Sequence, residues 1–479
     1  MNKKIILILV FLPAVLLSET KLSLNRCRKM ALNSNDEIRA KEEAVQAAKD
    51  KQKAAYKNFF PSLDLKGSYM RLNKKITYEL PGMKFPVSSF NLQKQQYEIS
   101  YVRDRRGNKV LNPKTEQPIP EKVIEVPSRD LEFGEKNAYL FDFTLSQPIY
   151  TGGKIRAGYK IKGYQQNITE LNQDLTEKEV LYKVSSMYWK IKSLQEQVKL
   201  AQEYKKMVKS HLKDLKNYQQ EGLVTQNDVL KAKVKQSDAE VQILKAQNGL
   251  QLASKTLCQL IGLPLNTQLV LTDSLQIQDT INNSRDYKEL ARKYRREIQI
   301  LQQKKKITQS QMNLVKAKYL PDLLLKAGYY GVNPNPYNSF EEEFGRDWRV
   351  SLNLSLPIFS WNKRGNQLTA TRHSRRQVKY KLKDIKEKIS LEVEQAIDRV
   401  EQSRKIMSQR KIGLKQAREN LRIAKENFQE GTLKSSEMLE AQTMWRKAYT
   451  KWIESKKSYK IARAKLTKTI GENFLENRK

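Results

Sequence analysis

The chain has 479 residues, of which 39% are hydrophobic and 30% are charged, and its mean hydropathy is −0.71. This polarity excludes a helical membrane protein, because no apolar run beyond the N-terminus is long enough to span a bilayer. The formal net charge of +38 suggests nucleic acid or an anionic surface as a partner. However, lysine and arginine are spread beside glutamate without a compact basic cluster, and that pattern favours solvated helix faces over a nucleic-acid groove.

The N-terminal residues 1–18 are predicted to form a secretory signal peptide, because Lys3 and Lys4 precede a short apolar run. Cys27 lies too far beyond this run to be a lipid-modified cleavage-site cysteine. Together with Cys258 it could form one disulfide, but two isolated thiols are the favoured interpretation. Two cysteines and two histidines offer no metal constellation. No motif for a cofactor or an enzyme stands out, so neither is expected.

Four segments alternate apolar and polar residues with a period of two, which is typical of strands with one apolar and one polar face. A helix is predicted before the first of them, from about Leu24 to Phe59, and Pro61 ends it. The four predicted strands are 63–69, 139–146, 323–329 and 348–356.

The first two predicted strands are separated by the long segment 73–136, which contains six prolines, whereas the corresponding loop between the other two is only 332–347. Long loops of bacterial barrels lie outside the cell, so we expect an extracellular loop over 73–136. The sequence leaves open whether this loop folds inward over the mouth of a barrel. A second connecting segment, 263–284, is expected to link the two halves of the chain.

Two long segments without proline predict helical hairpins of the coiled-coil type. The first runs from about Lys154 to Gln219, and a break at Gly222–Leu230 separates it from a shorter helix. The second runs from about Lys363 to Gln429 and is broken at Gly431–Leu439. A helix of roughly 65 residues is about 100 Å long, so the chain is built to span a distance. The predicted seam is formed by Ile191, Leu194, Val198, Ala201, Val208, Leu212 and Leu215, then by Leu230, Val234, Val241 and Leu244, and in the second hairpin by Met407, Leu414, Ala417, Leu421, Ala424 and Phe428.

Matching positions in the two halves keep one constant offset, which indicates an internal duplication. The first repeat is expected over 19–262 and the second over 285–479. The matched pairs are Pro148 with Pro357, Gly222 with Gly431, and Gly262 with Gly471.

The predicted strands suit a lipid-facing wall in an exported protein, with the polar face lining water. Four strands leave open edges that lipid does not tolerate, whereas three chains would supply about 12 strands, an even number within the bacterial range. The predicted fold is therefore mainly α with transmembrane β: a duplicated repeat forming a trimeric β-barrel of about 12 strands, continued by a long periplasmic α-helical barrel.

Several short motifs recur in both repeats in the same order and at the same spacing. They are Phe60-Pro61-Ser62-Leu63 and Leu320-Pro321-Asp322-Leu323, the strand-to-helix corners 145–153 and 354–359, and the turn Gly222-Leu223 followed by Asp228-Val229-Leu230. In these motifs, and over nearly all of the mature chain, the sequence resembles the TolC family of outer-membrane efflux and secretion ducts.

This resemblance implies a homotrimer in outer-membrane lipid whose helical tips meet a periplasmic adaptor protein. The adaptor would couple it to an inner-membrane pump, in a tripartite efflux pump or a type I secretion system, with no nucleic-acid partner. The family's tip contact corresponds to Gly222, Leu223 and Gly431. Both glycines also suit helix C-caps, where a positive φ is needed.

The resemblance also implies carboxylates around the periplasmic entrance, at Glu437 and Glu440, one turn apart on one helix face. Threefold symmetry would bring them into a ring that favours cations. Alternatively, acids in a first helical turn complement the helix dipole. Asp228 is the counterpart of Glu437 in the first repeat, and Thr225-x-x-Asp228 is also a capping-box pattern.

The polar links that close the entrance in TolC correspond here to Phe428 and Leu433, which cannot bond to Asp228, so the manner of closure stays open. Two alternative functions also stay open. One is an exported coiled-coil scaffold or spacer without a pore, which accounts for the long helices but not for two duplicated strand pairs. The other is a nucleic-acid-binding protein, which the charge alone favours and the predicted export signal opposes.

Overall fold

The computed structural model describes residues 20–133, 135–276, 286–338, 340–472 and 474. The predicted signal peptide and the end of the predicted linker, 277–284, lie outside these residues. The described chain divides into two compact units. The helical unit comprises the described residues up to 56 together with 154–316 and 361–479, and the sheet unit comprises 57–153 and 317–360.

Helices make up most of the described chain, and two successive pairs dominate, each with a helix of 67 residues followed by one of 36. None of the described helices combines the length and the apolarity that a membrane crossing requires. The helices are α1 (Leu24–Ser34), α2 (Asp36–Lys57), α3 (Lys154–Gln220), α4 (Gln226–Ile261), α5 (Tyr287–Tyr294), α6 (Arg296–Ala317), α7 (Lys363–Gln429) and α8 (Ser435–Ile470).

The four longest helices pack side by side in the order α4, α3, α8, α7, because α3 contacts both α4 and α8, and α8 contacts α7. The seam predicted for α3 is confirmed at five positions and half-buried at Leu194 and Val198. In α7, Met407 and Leu421 are half-buried and the other four predicted seam residues are buried. The five buried residues of the α3 seam are Ile191, Ala201, Val208, Leu212 and Leu215.

The seam prediction for α4 is wrong within this chain. Leu230, Val234, Val241 and Leu244 are 43–61% exposed, and the residues that pack into the chain's own cores are Val229, Ala232 and Ala239. The reason is that α4 carries two apolar faces on opposite sides. A sequence pattern does not tell which of two apolar faces meets the neighbouring helix of the same chain, and here α3 takes the face with small residues.

The predicted helix Leu24–Phe59 is in fact two helices, α1 and α2, separated at Asn35. Asn35 terminates the first helix and caps the second, because its Oδ1 accepts a hydrogen bond from the backbone N–H of Glu37 at 3.0 Å. Its Nδ2 also donates to the carbonyl of Leu260 at 3.0 Å, which fixes the break against the end of α4.

A small parallel sheet joins the start of the described chain to the predicted linker. Strand β1 (Thr20–Leu22) pairs with the apolar segment Leu269–Leu271, which is therefore a strand rather than part of an irregular linker. Leu22 and Leu271 lie in a core with Tyr188 of α3, whose hydroxyl donates to the Leu22 carbonyl at 3.1 Å and accepts from the Asp273 N–H at 3.0 Å.

The remaining strands belong to the sheet unit, where all pairings are antiparallel. The strands are β2 (Ser62–Arg71), β3 (Ile76–Leu80), β4 (Met83–Pro86), β5 (Ser88–Asn91), β6 (Gln96–Ile99), β7 (Val123–Val126), β8 (Arg129–Phe133), β9 (Asn137–Tyr150), β10 (Leu269–Leu271, in the helical unit), β11 (Asp322–Asn333) and β12 (Gly345–Ser355). All four sequence-predicted strands are confirmed and lie in one sheet of order β12-β11-β9-β2. Three of them extend beyond the predicted bounds at both ends, and β12 begins earlier but ends one residue before the predicted Leu356. The described residues of 73–136 form three two-stranded ladders, β3 with β8, β4 with β7, and β5 with β6.

Candidate functional site: the sheet face and the helical tips

One face of the four-stranded sheet consists of large apolar side chains that are exposed. The pairing register sets Leu65, Phe143, Tyr329 and Trp348 in one row across β2, β9, β11 and β12. These four side chains are 43–70% exposed. Residues directly opposite each other in a ladder point to the same face, so the row forms a continuous apolar band.

The opposite face of the same sheet is polar. Asp142 of β9 pairs in register with Lys66 of β2, and its carboxylate accepts from the guanidinium of Arg349 on β12 at 2.8 Å. Strand β2 pairs only with β9 in this four-stranded sheet, and β12 pairs only with β11, so β2 and β12 are its two edges. The sheet therefore has one apolar face, one charged face and two edges that pair with no further strand of this sheet.

The first tip is the turn between α3 and α4. Gly222 has φ 75°, and the N–H of Leu223 donates to the carbonyl of Tyr218 at 2.9 Å. A Cβ added at Gly222 would meet no atom within 4 Å, so the backbone conformation alone requires glycine there. The predicted C-cap role of Gly222 is thus confirmed. Leu223 is 69% exposed at the end of the turn and has no such conformational role.

Asp228 belongs to a capping box at the start of α4, as the sequence predicts. Thr225 Oγ1 accepts from the N–H of Asp228 at 3.3 Å, and Asp228 Oδ2 accepts from the N–H of Thr225 at 3.2 Å. The Thr225 hydroxyl also donates to this carboxylate at 2.6 Å, and this bond holds the pKa of Asp228 below its ordinary value. The Asp228 carboxylate therefore caps the start of its own helix, α4.

The second tip is built on the same plan with weaker capping. Gly431 has φ 74°, as a helix C-cap requires. Lys434 stands where the first tip has Thr225, and it provides no hydroxyl for a cap. Glu437 Oε2 accepts from the N–H of Lys434 at 3.3 Å, so this carboxylate complements the start of α8. Glu440 is exposed one turn further on and lines a groove of about 480 Å³ between α4 and α8.

The two turns lie at one end of the helical unit, over a shared apolar cluster. This cluster contains Leu215 of α3, Val229 of α4 and Phe428 of α7, with Val224 and Leu433 of the two turns packed against it. Phe428 is 8% exposed and makes no polar link to Asp228. At these positions Phe428 and Leu433 thus take part in apolar packing between helices of one chain.

His211 of α3 is a buried polar residue at this end that the sequence analysis missed. It is 3% exposed, and its Nε2 lies 3.1 Å from Ser435 Oγ, the first residue of α8. Its ring meets the ring of Phe428 edge to face, with centroids 4.6 Å apart. The available signal was its position between the seam residues Val208 and Leu212, which indicates a side chain directed into the helix interface.

The described residues contain no group of three or more histidine, cysteine or acidic side chains that could hold a metal ion. Cys27 and Cys258 are both buried free thiols, and Cys27 lies in the apolar core around Tyr188. Burial raises the pKa of Cys27 to about 12, so this thiol is unreactive at neutral pH.

A sequence profile described as "Outer membrane efflux protein" matches residues 112–263 and 288–472. No curated protein sequence matches the chain.

Solved structures of outer-membrane channels are similar to this chain over nearly its whole length. The Campylobacter jejuni CmeC outer membrane channel has a TM-score of 0.70 and 16% identity, covering 95% of this chain and 87% of the other. The open state of the Neisseria gonorrhoeae MtrE outer membrane channel has a TM-score of 0.69 and 15% identity, covering 94% and 89%. The Vibrio cholerae outer membrane protein VceC has a TM-score of 0.68 and 15% identity, covering 94% and 96%.

Proposed function

Because the chain belongs to the outer membrane efflux protein family, we propose that three copies form one duct through the outer membrane and the periplasm. Membership of this family makes the protein an efflux channel of the outer membrane with a periplasmic helical barrel, in a family of transport proteins rather than enzymes. We propose in addition how its barrel closes, how many subunits it has, which partners it binds and what its entrance selects.

The observation that carries this proposal is the two-faced sheet with two open edges. The band of Leu65, Phe143, Tyr329 and Trp348 would face lipid, and the face with Asp142 and Arg349 would line water. Exposed strand edges in hydrocarbon leave backbone groups without partners, at a cost of several kcal/mol each. Pairing β2 of one copy with β12 of the next removes both edges, and three copies give a closed wall of about 12 strands.

Exposed apolar stripes on the helical unit support the same subunit arrangement. At 3.6 residues per turn, the exposed apolar residues of α4 lie within about 80° of arc, opposite its buried face. On α7, at the other end of the helix row, large apolar residues are also exposed. A contact of α4 with α7 of the next copy is heterologous and closes into a ring. The residues are Leu230, Val234, Val241, Leu244 and Leu252 on α4, and Leu391, Ile406, Ile412 and Ile423 on α7.

The tips are proposed to dock a periplasmic adaptor that couples the duct to an inner-membrane pump. Leu223 supports this, because its large apolar side chain is 69% exposed at the turn of the first tip. Gly222 and Gly431 shape the two turns, and Thr432 stands where the first turn has Leu223, so the second tip would bind the adaptor differently. Such ducts serve tripartite efflux pumps and type I secretion systems, and we propose one of these two settings.

Glu437 and Glu440 are proposed to give the entrance its preference for cations. Both carboxylates are exposed near the second tip, and three copies would place six of them around one opening. The capping contact of Glu437 is compatible with this role, since it uses one carboxylate oxygen. Asp228 is committed to its capping box, so its contribution to the ring is proposed to be the smaller one.

A planar-bilayer recording tests the channel and the ring together. Purified protein in detergent is expected to insert and conduct with a preference for cations, which the double variant Glu437→Gln, Glu440→Gln lowers because the fixed negative charge is removed. The matched control is Glu454→Gln, an exposed glutamate about five turns further along α8. Unchanged ion preference in the double variant refutes the ring.

The alternative, an exported coiled-coil scaffold without a pore, makes opposite predictions in the same experiments. Such a protein would stay dispersed in buffer without detergent and would not conduct in a lipid film. The exposed apolar row of the sheet disfavours it, because a water-soluble scaffold gains nothing from a continuous apolar band on its surface.

A further inference from the structure

We propose that His211 is a proton-operated latch, which holds the tip of the helical unit together at neutral pH and releases it in acid. The inference rests on the proposed function only for its consequence, the opening of the periplasmic entrance. The latch itself is a property of the described helices.

The geometry joins three helices through one side chain. His211 projects from α3, its Nε2 lies 3.1 Å from the hydroxyl of Ser435 on α8, and its ring contacts Phe428 of α7. Tyr218, two turns further along α3, also lies against Phe428, with ring centroids 6.0 Å apart. Separation of α3 from α8 at the tip therefore requires the imidazole to leave this site.

The site favours the neutral imidazole. Burial lowers the pKa of His211 below its ordinary value. It outweighs two influences that raise this pKa, the carboxylate of Asp214 on the next turn of α3 and a hydrogen bond with the backbone of Ser435. The positive end of the α8 dipole at Ser435 also disfavours an added proton. A buried imidazolium without an adjacent carboxylate costs free energy that an exposed one does not.

The neighbouring helices supply no compensating charge among the described residues. The α8 contact is the uncharged Ser435, and the first acid of that helix, Glu437, directs its carboxylate to the backbone N–H of Lys434. The α7 contact is the phenyl ring of Phe428. Helix α4 contributes the apolar residue Val229 to the same cluster. Asp214 is thus the one acid whose charge acts on the imidazole.

The pH dependence follows from the direction of this shift. In the opened tip His211 is exposed and takes up a proton with an ordinary pKa of about 6.5, whereas in the closed tip it binds the proton less readily. The open state therefore binds more protons below about pH 6.5. The closed tip has its full stability above this pH and loses stability as the pH falls from about 6.5 toward the lowered pKa.

Because the chain has few histidines, a change in tip stability between about pH 5 and 8 can be assigned to one residue. Histidine is the side chain whose ordinary pKa lies between about pH 5 and 8, and the chain has only two histidines. The other one, His373, is exposed on α7, about 15 turns of helix from the α7 end of the tip. His211→Gln keeps a side chain that can hydrogen-bond Ser435 but does not titrate, and His373→Gln is the matched control.

Amide hydrogen exchange of the full chain in detergent tests the latch directly. Peptides covering 208–218 and 427–439 are followed at pH 7.5 and 5.0, with rates corrected for the intrinsic pH dependence. Wild type and His373→Gln are expected to lose protection several-fold at pH 5.0, whereas His211→Gln shows equal protection at both. A wild type with equal protection at both pH values, or a pH response retained in His211→Gln, overturns the proposal.

A second measurement needs no variant at position 211, in case His211→Gln does not fold. In the full chain with isotope-labelled histidine, His373→Gln removes one imidazole signal and thereby identifies the other. The His211 signal is expected to titrate at the pH where tip protection is lost. Titration at the pH of an exposed histidine, without a change in protection, overturns the latch.

Conductance distinguishes failure of the latch from failure of the channel. In a bilayer, wild type and His373→Gln are expected to conduct more at pH 5.0 than at pH 7.5, and His211→Gln to conduct equally at both. If none of the three conducts at any pH, the channel proposal fails, while the exchange result still decides the latch. Conductance that rises equally in all three overturns the latch as the gate.

Discussion

The substitution Thr225→Val tests whether the capping box holds the first tip in its conformation. Valine keeps the β-branched shape of threonine but removes the hydroxyl, which accepts from the Asp228 N–H at 3.3 Å and donates to the Asp228 carboxylate at 2.6 Å. The bond from the Thr225 N–H to Asp228 at 3.2 Å remains. Because the site is exposed, the freed groups bind water, and the loss is about 1 kcal/mol, within the range of N-cap substitutions.

At the second tip, a substitution at the matching position should stabilise the helix start instead of weakening it. Lys434 occupies the N-cap of α8, where Glu437 already accepts from its N–H at 3.3 Å. Lys434→Thr adds the missing hydroxyl and completes a capping box, so we expect the start of α8 to gain about 0.5–1 kcal/mol. The two substitutions thus act in opposite directions on matching positions.

Hydrogen exchange in the first turns of α4 and α8 measures both effects. A change of 1 kcal/mol alters the local opening constant about fivefold. Exchange at the start of α4 should therefore speed up about fivefold in Thr225→Val, and exchange at the start of α8 should slow in Lys434→Thr. Thr225→Ser keeps the hydroxyl and serves as the control. Unchanged exchange in Thr225→Val, or equal effects of serine and valine, refutes this role of the box.

Three further predictions concern the cores of the helical unit. Tyr188→Phe removes a fully buried hydroxyl with two backbone partners, so chemical denaturation should show a loss of about 1–3 kcal/mol. Gln442→Leu should raise the stability of the chain in the same assay, because this amide is fully buried and has no partner among the described residues; a loss of stability contradicts this. Cys27 should resist alkylation in the folded protein at pH 8, because burial raises its pKa to about 12, and should react after denaturation.

The elements that follow from local chemistry were predictable from the sequence. Alternation of apolar and polar residues located all four strands of the main sheet, and glycine with a following acid located both tips. The seam of α3 was also predictable, because only one of its faces carries a regular apolar spacing through Val208 and Leu215. In each of these cases a single periodicity or a single backbone requirement decides the structure.

The features that the sequence did not predict depend on a choice between two equivalent apolar faces or on contacts between distant parts of the chain. Helix α4 has two apolar faces, and Leu230 or Val229 could equally have met α3. The break at Asn35 depends on a partner 225 residues away, the carbonyl of Leu260, which no local pattern contains. The pairing of Leu269–Leu271 with β1 joins segments almost 250 residues apart. His211 belongs to no sequence motif, and its proposed role depends on its contacts with Ser435 and Phe428 on other helices.

Native mass measurement of the purified protein in detergent shows how many subunits share one wall. We expect a complex of three copies of the chain that requires detergent to stay dispersed, because each copy exposes an apolar sheet face and two open edges. Val234→Lys with Val241→Lys on α4 should weaken this complex. A single copy that stays dispersed in buffer without detergent refutes the shared wall.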